Sequence, residues 1–311
     1  MIKKKILFIY KKVGSQSLYK STNVNCSWLI DCSDDYEIYN WGKGISEDYS
    51  LNNLKKIIDS FKPDYIYMTM RKKYEKWLPD LTHIKVPKIY VEVDNYAYNY
   101  NDSWYKQFDK ILCRQPIWGK HHRKFYIDEN KLSGDIISLK DYKVILNNLL
   151  SWEKVPLFRW SVPEKAFMFS KNIKTRKGIY FVGRMKKEIY YARNLMKKIF
   201  RSKIVFRKGI KKDNYWKLLA SASALICPSE SNFGTFVPTK LFEYAASGAA
   251  VLTNCNLKRY QVEDLDKVVI HYANWKDLNR KLKMDFEPYY NKAREIMKNH
   301  THRIRYKELF G

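Results

Sequence analysis

The chain has 311 residues, 45% of them hydrophobic and 16% aromatic, which suffices for one large or two medium domains and excludes a disordered polypeptide. Its 59 Lys and Arg against 32 Asp and Glu leave a formal net charge of +27, which no fold requires and which self-repulsion makes costly. The five cysteines (Cys26, Cys32, Cys113, Cys227, Cys255) are odd in number and scattered without Cys/His spacing, so they speak against a disulfide framework or a zinc site and for buried thiols in a reducing cytoplasm.

In chain order, residues 1–10 begin with lysines, but the apolar run 6–10 is too short for a signal peptide or membrane span; residues 5–10 read as a first buried strand. A loop around Gly14 follows, where the absence of a side chain allows backbone to approach a substrate closely. Residues 50–61 predict a helix closed by Lys62-Pro63, and strands are expected over 65–70, 88–93 and 110–113. In the strand expected over 88–93, alternation puts Glu92 and Asp94 on one side, with Asp94 at the carboxyl end. Residues 152–169, with Pro156 and Pro163, show no clear period.

A second α/β series then runs through a strand over 178–182, a helix over 188–200, a strand over 203–207 and a helix over 214–222. Strand 224–227, loop 228–237, a helix opened by Pro238 and ended by Gly248, and another apolar strand complete it; the tail from 287 reads as helix. Short strands alternating with helices imply two mostly parallel sheets with right-handed crossovers. The expected division is a first Rossmann-like domain over 1–160, a linker over 161–176, a second Rossmann-like domain over 177–286 and a C-terminal helix over 287–311 returning toward the first domain.

Residues 223–255 carry the most information. In a parallel α/β domain a helix that follows such a loop starts at the carboxyl edge of the sheet, where free N–H groups and the helix dipole favour a diphosphate. Pro228-Ser229-x4-Gly234, then Pro238-Thr239-Lys240-Leu241-Phe242-Glu243-Tyr244-x-Ala246-x-Gly248-x-x-Val251, resembles the donor-site signature of GT-B glycosyltransferases. The nearest branch is the group-1-like one with spore-maturation-type proteins. Phe181-Val182-Gly183-Arg184 and His300-Thr301-His302-Arg303-Ile304-Arg305-Tyr306 also resemble pieces of that family.

The resemblance implies a nucleotide-sugar co-substrate, a UDP-sugar first, with Glu243 on the ribose and Thr239, Lys240 and Leu241 around the diphosphate. Ser229, Gly234, Gly14 and Gly183 line the donor, and Arg184, with Lys187 and Lys186 behind it, meets a phosphate. One position departs from the family: its second Glu, eight residues before the helix Glu, falls on Thr235, and the nearest acid is Glu230. GT-B enzymes also place a key acid or His in a loop such as the one holding Asp94, where a carboxylate can deprotonate or orient an acceptor hydroxyl. His121 and His122 read as surface residues. The family generally works without a metal, so no metal and no cofactor is expected; Asp34-Asp35 and Asp264-x-Asp266 are not read as ligands.

The charge is uneven: residues 166–311 hold 31 basic and 12 acidic side chains, and the segment 171–217 holds 17 basic against Glu188 and Asp213. A polyanionic partner follows, with Lys197, Lys198, Arg201 and Lys203 as its contacts and Tyr190, Tyr191, Tyr215 and Trp216 stacking on or wedging against bases. The first expected acceptor is a hydroxymethylated pyrimidine in DNA, by analogy with phage DNA glucosyltransferases, which share the architecture. The alternative is a lipid-linked or cell-envelope glycan, with the basic surface on anionic headgroups.

Overall fold

A computed structural model describes residues 2–11, 28–69, 71, 74, 76–93, 98–114, 147–148, 150–170, 173, 175–183, 185, 191–210, 212–228, 237–255, 257 and 262–311. The described residues fall into two compact units: 2–114, 147–159 and 305–311 form the first, and 160–304 the second.

The first unit contains β1 (Lys4–Ile9), α1 (Trp28–Asp31), β2 (Tyr36–Trp41), α2 (Leu51–Phe61), β3 (Tyr65–Thr69), β4 (Lys88–Glu92) and β5 (Lys110–Cys113). Its five strands are all parallel, in the order β2-β1-β3-β4-β5. The central strand β1 is buried from Ile6 to Ile9, as a parallel strand covered on both faces must be. The edge strand β2 is buried only at its ends, Tyr36 and Trp41, with Glu37 and Tyr39 exposed. Ser50 caps α2 by accepting the Asn53 N–H at 3.3 Å, and Lys62 ends it in the left-handed conformation, its N–H on the Ile58 carbonyl at 2.8 Å.

In the second unit lie β6 (Ile179–Val182), α3 (Tyr191–Phe200), β7 (Val205–Arg207), α4 (Lys212–Ser221), β8 (Ala224–Cys227), α5 (Thr239–Ala246), β9 (Ala250–Thr253), α6 (Glu263–Val268), β10 (Ile270–His271), α7 (Trp275–Lys281) and α8 (Lys292–Met297). Its sheet, again all parallel, has the order β10-β9-β8-β6-β7. Counted within each unit, both sheets have the order 2-1-3-4-5, a doubly wound arrangement whose chain reverses direction across the sheet beside its first strand. Ligands of such sheets bind at that switch point, beyond the carboxyl ends of the strands. In the second unit it lies between β6 and β8.

The start of the expected linker, Ser161 and Val162, is tied to the 300–302 segment. Val162 exchanges backbone hydrogen bonds with the 300–302 segment (3.0 Å each way), and the Ser161 hydroxyl lies 2.7 Å from His302 Nδ1, so this stretch is built into the second unit. The last helix, α9 (His302–Phe310), ends in the first unit, where Tyr306, Leu309 and Phe310 are core residues. Gly248, after α5, has φ +79, and a Cβ there would lie 2.5 Å from Asn291 Oδ1 and 2.8 Å from Arg176 Nη2. Only glycine fits this turn, which sets the direction in which the chain enters β9.

Candidate functional site

The switch point of the second sheet is opened by a strand that stops pairing early. β6 pairs with β8 only through Ile179 and Tyr180, whereas β8 and β9 stay paired to Cys227 and Thr253. Val182 therefore has an N–H and a C=O facing the gap, and both are taken by one hydroxyl. Tyr244 of α5 donates to the Val182 carbonyl at 2.8 Å and accepts its N–H at 3.0 Å. This bond fastens α5 to the end of β6 and puts the helix N-terminus at the carboxyl edge.

Four side chains meet there. Gly183, directly after β6, lies against Lys240: a Cβ on it would come within 3.1 Å of Lys240 Cε and 3.0 Å of Phe181 Cζ. Lys240 Nζ stands 5.6 Å above the ring of Tyr215, which comes from α4. The Tyr215 hydroxyl donates to Glu243 Oε2 at 2.5 Å. Burial first, and then the Glu243 charge, push the Tyr215 phenol well above its ordinary value of 10, so it remains a donor at any working pH. Beneath them, Arg193 of α3 is buried with its guanidinium 5.4 Å from the Phe181 ring.

Pro238 caps α5 without a side-chain hydrogen bond, so the N–H groups of Thr239 and Lys240 have no partner among the described residues. Leu241 differs from expectation. Its side chain is fully buried and its N–H is bonded to the Pro238 carbonyl at 3.0 Å. Thr239, Lys240 and Glu243 are all half-buried and line the same helix end.

Gly14, Asp94, Arg184, Lys187, Ser229 and Gly234 lie outside the described residues, as do Lys186, His121, His122, Glu230 and Thr235. Glu92, expected to share a side with Asp94, is no open acid. It is fully buried, accepts the hydroxyls of Tyr90 (2.6 Å) and Tyr105 (2.9 Å) at Oε2, and takes the Val93 N–H (2.8 Å) at Oε1. Burial and then its charge hold both phenols well above 10. Arg71 donates to Asp102 at 2.9 Å and reaches this group at Tyr105, its guanidinium lying within about 5 Å of the rings of Tyr98, Trp104 and Tyr105.

The four basic residues expected to hold a polyanion are exposed, but at the other end of the second unit. Lys197 and Lys198 are in the last turn of α3, and Arg201 and Lys203 lead into β7, at the amino edge of the sheet. Lys203 also donates to Asn279 Oδ1 at 2.5 Å. The site at Gly183 and Glu243 is on the carboxyl edge, so strip and site are not brought together. Nor are Tyr215 and Trp216 available to bases: the first is bonded to Glu243 and the second is 6% exposed. Tyr190 and the side chain of Tyr191 lie outside the described residues. Among the described residues there is no group of three or more metal-ligating side chains and no helix long and apolar enough to cross a membrane.

No protein-family model matches the chain, and none of the curated proteins does. Among solved structures it is similar to AviGT4, a glycosyltransferase involved in avilamycin A biosynthesis (TM-score 0.58, 11% identity, 98% of this chain and 96% of that one). It is also similar to a glycosyltransferase from Rickettsia africae (TM-score 0.54, 13% identity, 99% and 98%). A third likeness is to Anabaena Alr3699/HepE in complex with UDP and glucose (TM-score 0.50, 11% identity, 98% and 98%). The whole chain thus has the two-domain GT-B fold that these glycosyltransferases share.

Proposed function

We propose that this chain is a glycosyltransferase that moves a hexose from a nucleotide sugar, a UDP-sugar first, to an acceptor hydroxyl. The observation that carries the reading is the helix end at the switch point, where Lys240, Glu243, Gly183 and two N–H groups without a partner among the described residues converge. A diphosphate there meets the ammonium and the N–H groups of Thr239 and Lys240, and the Glu243 carboxylate one turn later accepts from ribose hydroxyls. Within the GT-B fold, the motif over 228–251 supports the group-1-like branch with spore-maturation-type proteins.

In the transfer step the acceptor oxygen loses its proton to a carboxylate and bonds to the anomeric carbon. The bond from that carbon to the diphosphate oxygen breaks, and its electron pair leaves with the nucleotide, whose charge the helix end and Lys240 stabilise. Asp94 is the proposed base. Neither a metal nor a cofactor enters this scheme, and the buried cysteines support a reducing, cytoplasmic setting. Asp94→Asn is expected to keep donor affinity within about twofold and to lower turnover by roughly 10²-fold or more, read from nucleotide release with acceptor present. Wild-type turnover in that variant would remove Asp94 from the chemistry.

For the acceptor, the net charge of +27 supports a polyanion, and a hydroxymethylated pyrimidine in DNA is the first reading. The place of the strip favours a second one: an edge turned away from the site can rest on an anionic bilayer while a lipid-linked or envelope glycan is modified. Gel shift of hydroxymethylpyrimidine duplex and flotation with anionic liposomes separate the two. On the DNA reading, retention falls with salt at a log–log slope of about −4 to −5 for about five phosphates. Reversing the charge of Lys197, Lys198, Arg201 and Lys203 then flattens that slope and leaves nucleotide binding unchanged. Weak, salt-insensitive DNA retention beside clear flotation replaces DNA with the glycan.

A further inference from the structure

Glu243 is a half-buried residue on a helix surface, yet its carboxylate is not left to choose its own rotamer. One oxygen is held by a hydroxyl from a different helix, and the ring that carries this hydroxyl lies beneath the ammonium of Lys240. We infer that Tyr215 is a positioning residue, which orients the Glu243 carboxylate for the donor ribose and so sets the preference for ribose over 2′-deoxyribose. The inference rests on the nucleotide-sugar reading of the same site.

The physical case has three parts. A glutamate has three side-chain torsions and a tyrosine two, and Tyr215 is anchored in α4 between Asn214 and the buried Trp216, with Leu219 buried one turn on. A phenol donating to a carboxylate is a charge-assisted bond, strong enough to choose one rotamer of the acceptor. With Oε2 engaged by Tyr215, Oε1 and the remaining lone pair of Oε2 have fixed directions in which to accept from a vicinal diol. The same ring places Lys240, so one side chain aligns both the ribose acceptor and the diphosphate cation.

Tyr215→Phe tests this cleanly, because it keeps the ring under Lys240 and removes only the hydroxyl. Affinities of UDP, CDP, GDP and ADP and of their 2′-deoxy counterparts are measured by calorimetry on wild type and variant. Wild type is expected to prefer the ribonucleotide of its own base by about tenfold or more, the worth of one well-made charged hydrogen bond. In Tyr215→Phe the preference should shrink to about threefold or less, with the ribonucleotide weakened severalfold more than its 2′-deoxy counterpart. In a Glu243→Ala background, Tyr215→Phe should add no further loss, since the two residues act through one contact.

Equal weakening of ribo- and 2′-deoxynucleotide would make Tyr215 a packing residue and overturn the inference, as would an unchanged preference. A wild type that binds a nucleotide without preferring ribose overturns it too and leaves the donor site standing. If wild type binds none of the four nucleotides, the donor-site reading itself falls, and the inference with it.

Discussion

Glu243→Ala is expected to weaken nucleotide-sugar binding by about a hundredfold or more while leaving the fold intact. The carboxylate would accept from both ribose hydroxyls, and charged hydrogen bonds contribute about 1.5–3 kcal/mol each in such sites. Stability should change little, because Glu243 is half-buried and its removal costs the Tyr215 hydroxyl one part-buried bond. Calorimetry with UDP and UDP-sugars, beside a thermal melt, reads the two effects separately. Unchanged affinity in a folded variant would move the donor site elsewhere. Glu243→Gln should fall between wild type and Ala, since the amide keeps one acceptor and loses the charge.

Tyr306→Ala should destabilise the first unit by about 3–5 kcal/mol, the range for deleting a buried aromatic side chain. The ring stacks on Trp28 at 4.4 Å and meets Tyr67, Phe158 and Phe310 edge-on or tilted. Its hydroxyl lies 3.2 Å from that of Tyr67 and accepts from Arg114 Nη2 at 3.4 Å. Arg114 is itself buried, donating to the Arg159 carbonyl at 2.7 Å with its guanidinium 4.2 Å from the Phe158 ring. Tyr306→Phe keeps the stack and should cost only about 1 kcal/mol. A thermal melt followed by intrinsic fluorescence reads the unfolding; for Ala the midpoint should drop by roughly 10 °C. A drop of less than about 2 °C would mean that the end of α9 is not part of this core.

Much of the architecture was legible because parallel strands buried on both faces are short apolar runs. Residues 65–69, 179–182 and 224–227 are such runs, and each is a strand with ends within a residue or two of expectation. Helix ends were legible where a local device sets them, as Ser50 and Lys62 do for α2 and Gly248 does after α5. The edge strand β2 was not. Its residues, Tyr-Glu-Ile-Tyr-Asn-Trp, form neither an apolar run nor a clean alternation, and pairing along β1 makes them a strand.

At the site, the sequence by itself determined the helix and its chemistry: Thr239, Lys240 and Glu243 are neighbours in the chain, and their spacing alone puts them on successive turns. It also determined the excess of positive charge, though not where that charge lies. Tertiary structure decided the rest, because it depends on contacts between residues far apart in the chain. Tyr215 reaches Glu243 across 28 residues, the Tyr244 hydroxyl closes the gap at Val182 across 62, and Gly183 makes room for Lys240. The same crossovers that bring these groups to the carboxyl edge carry Lys197, Lys198, Arg201 and Lys203 to the amino edge, since each helix runs back antiparallel to the strand before it.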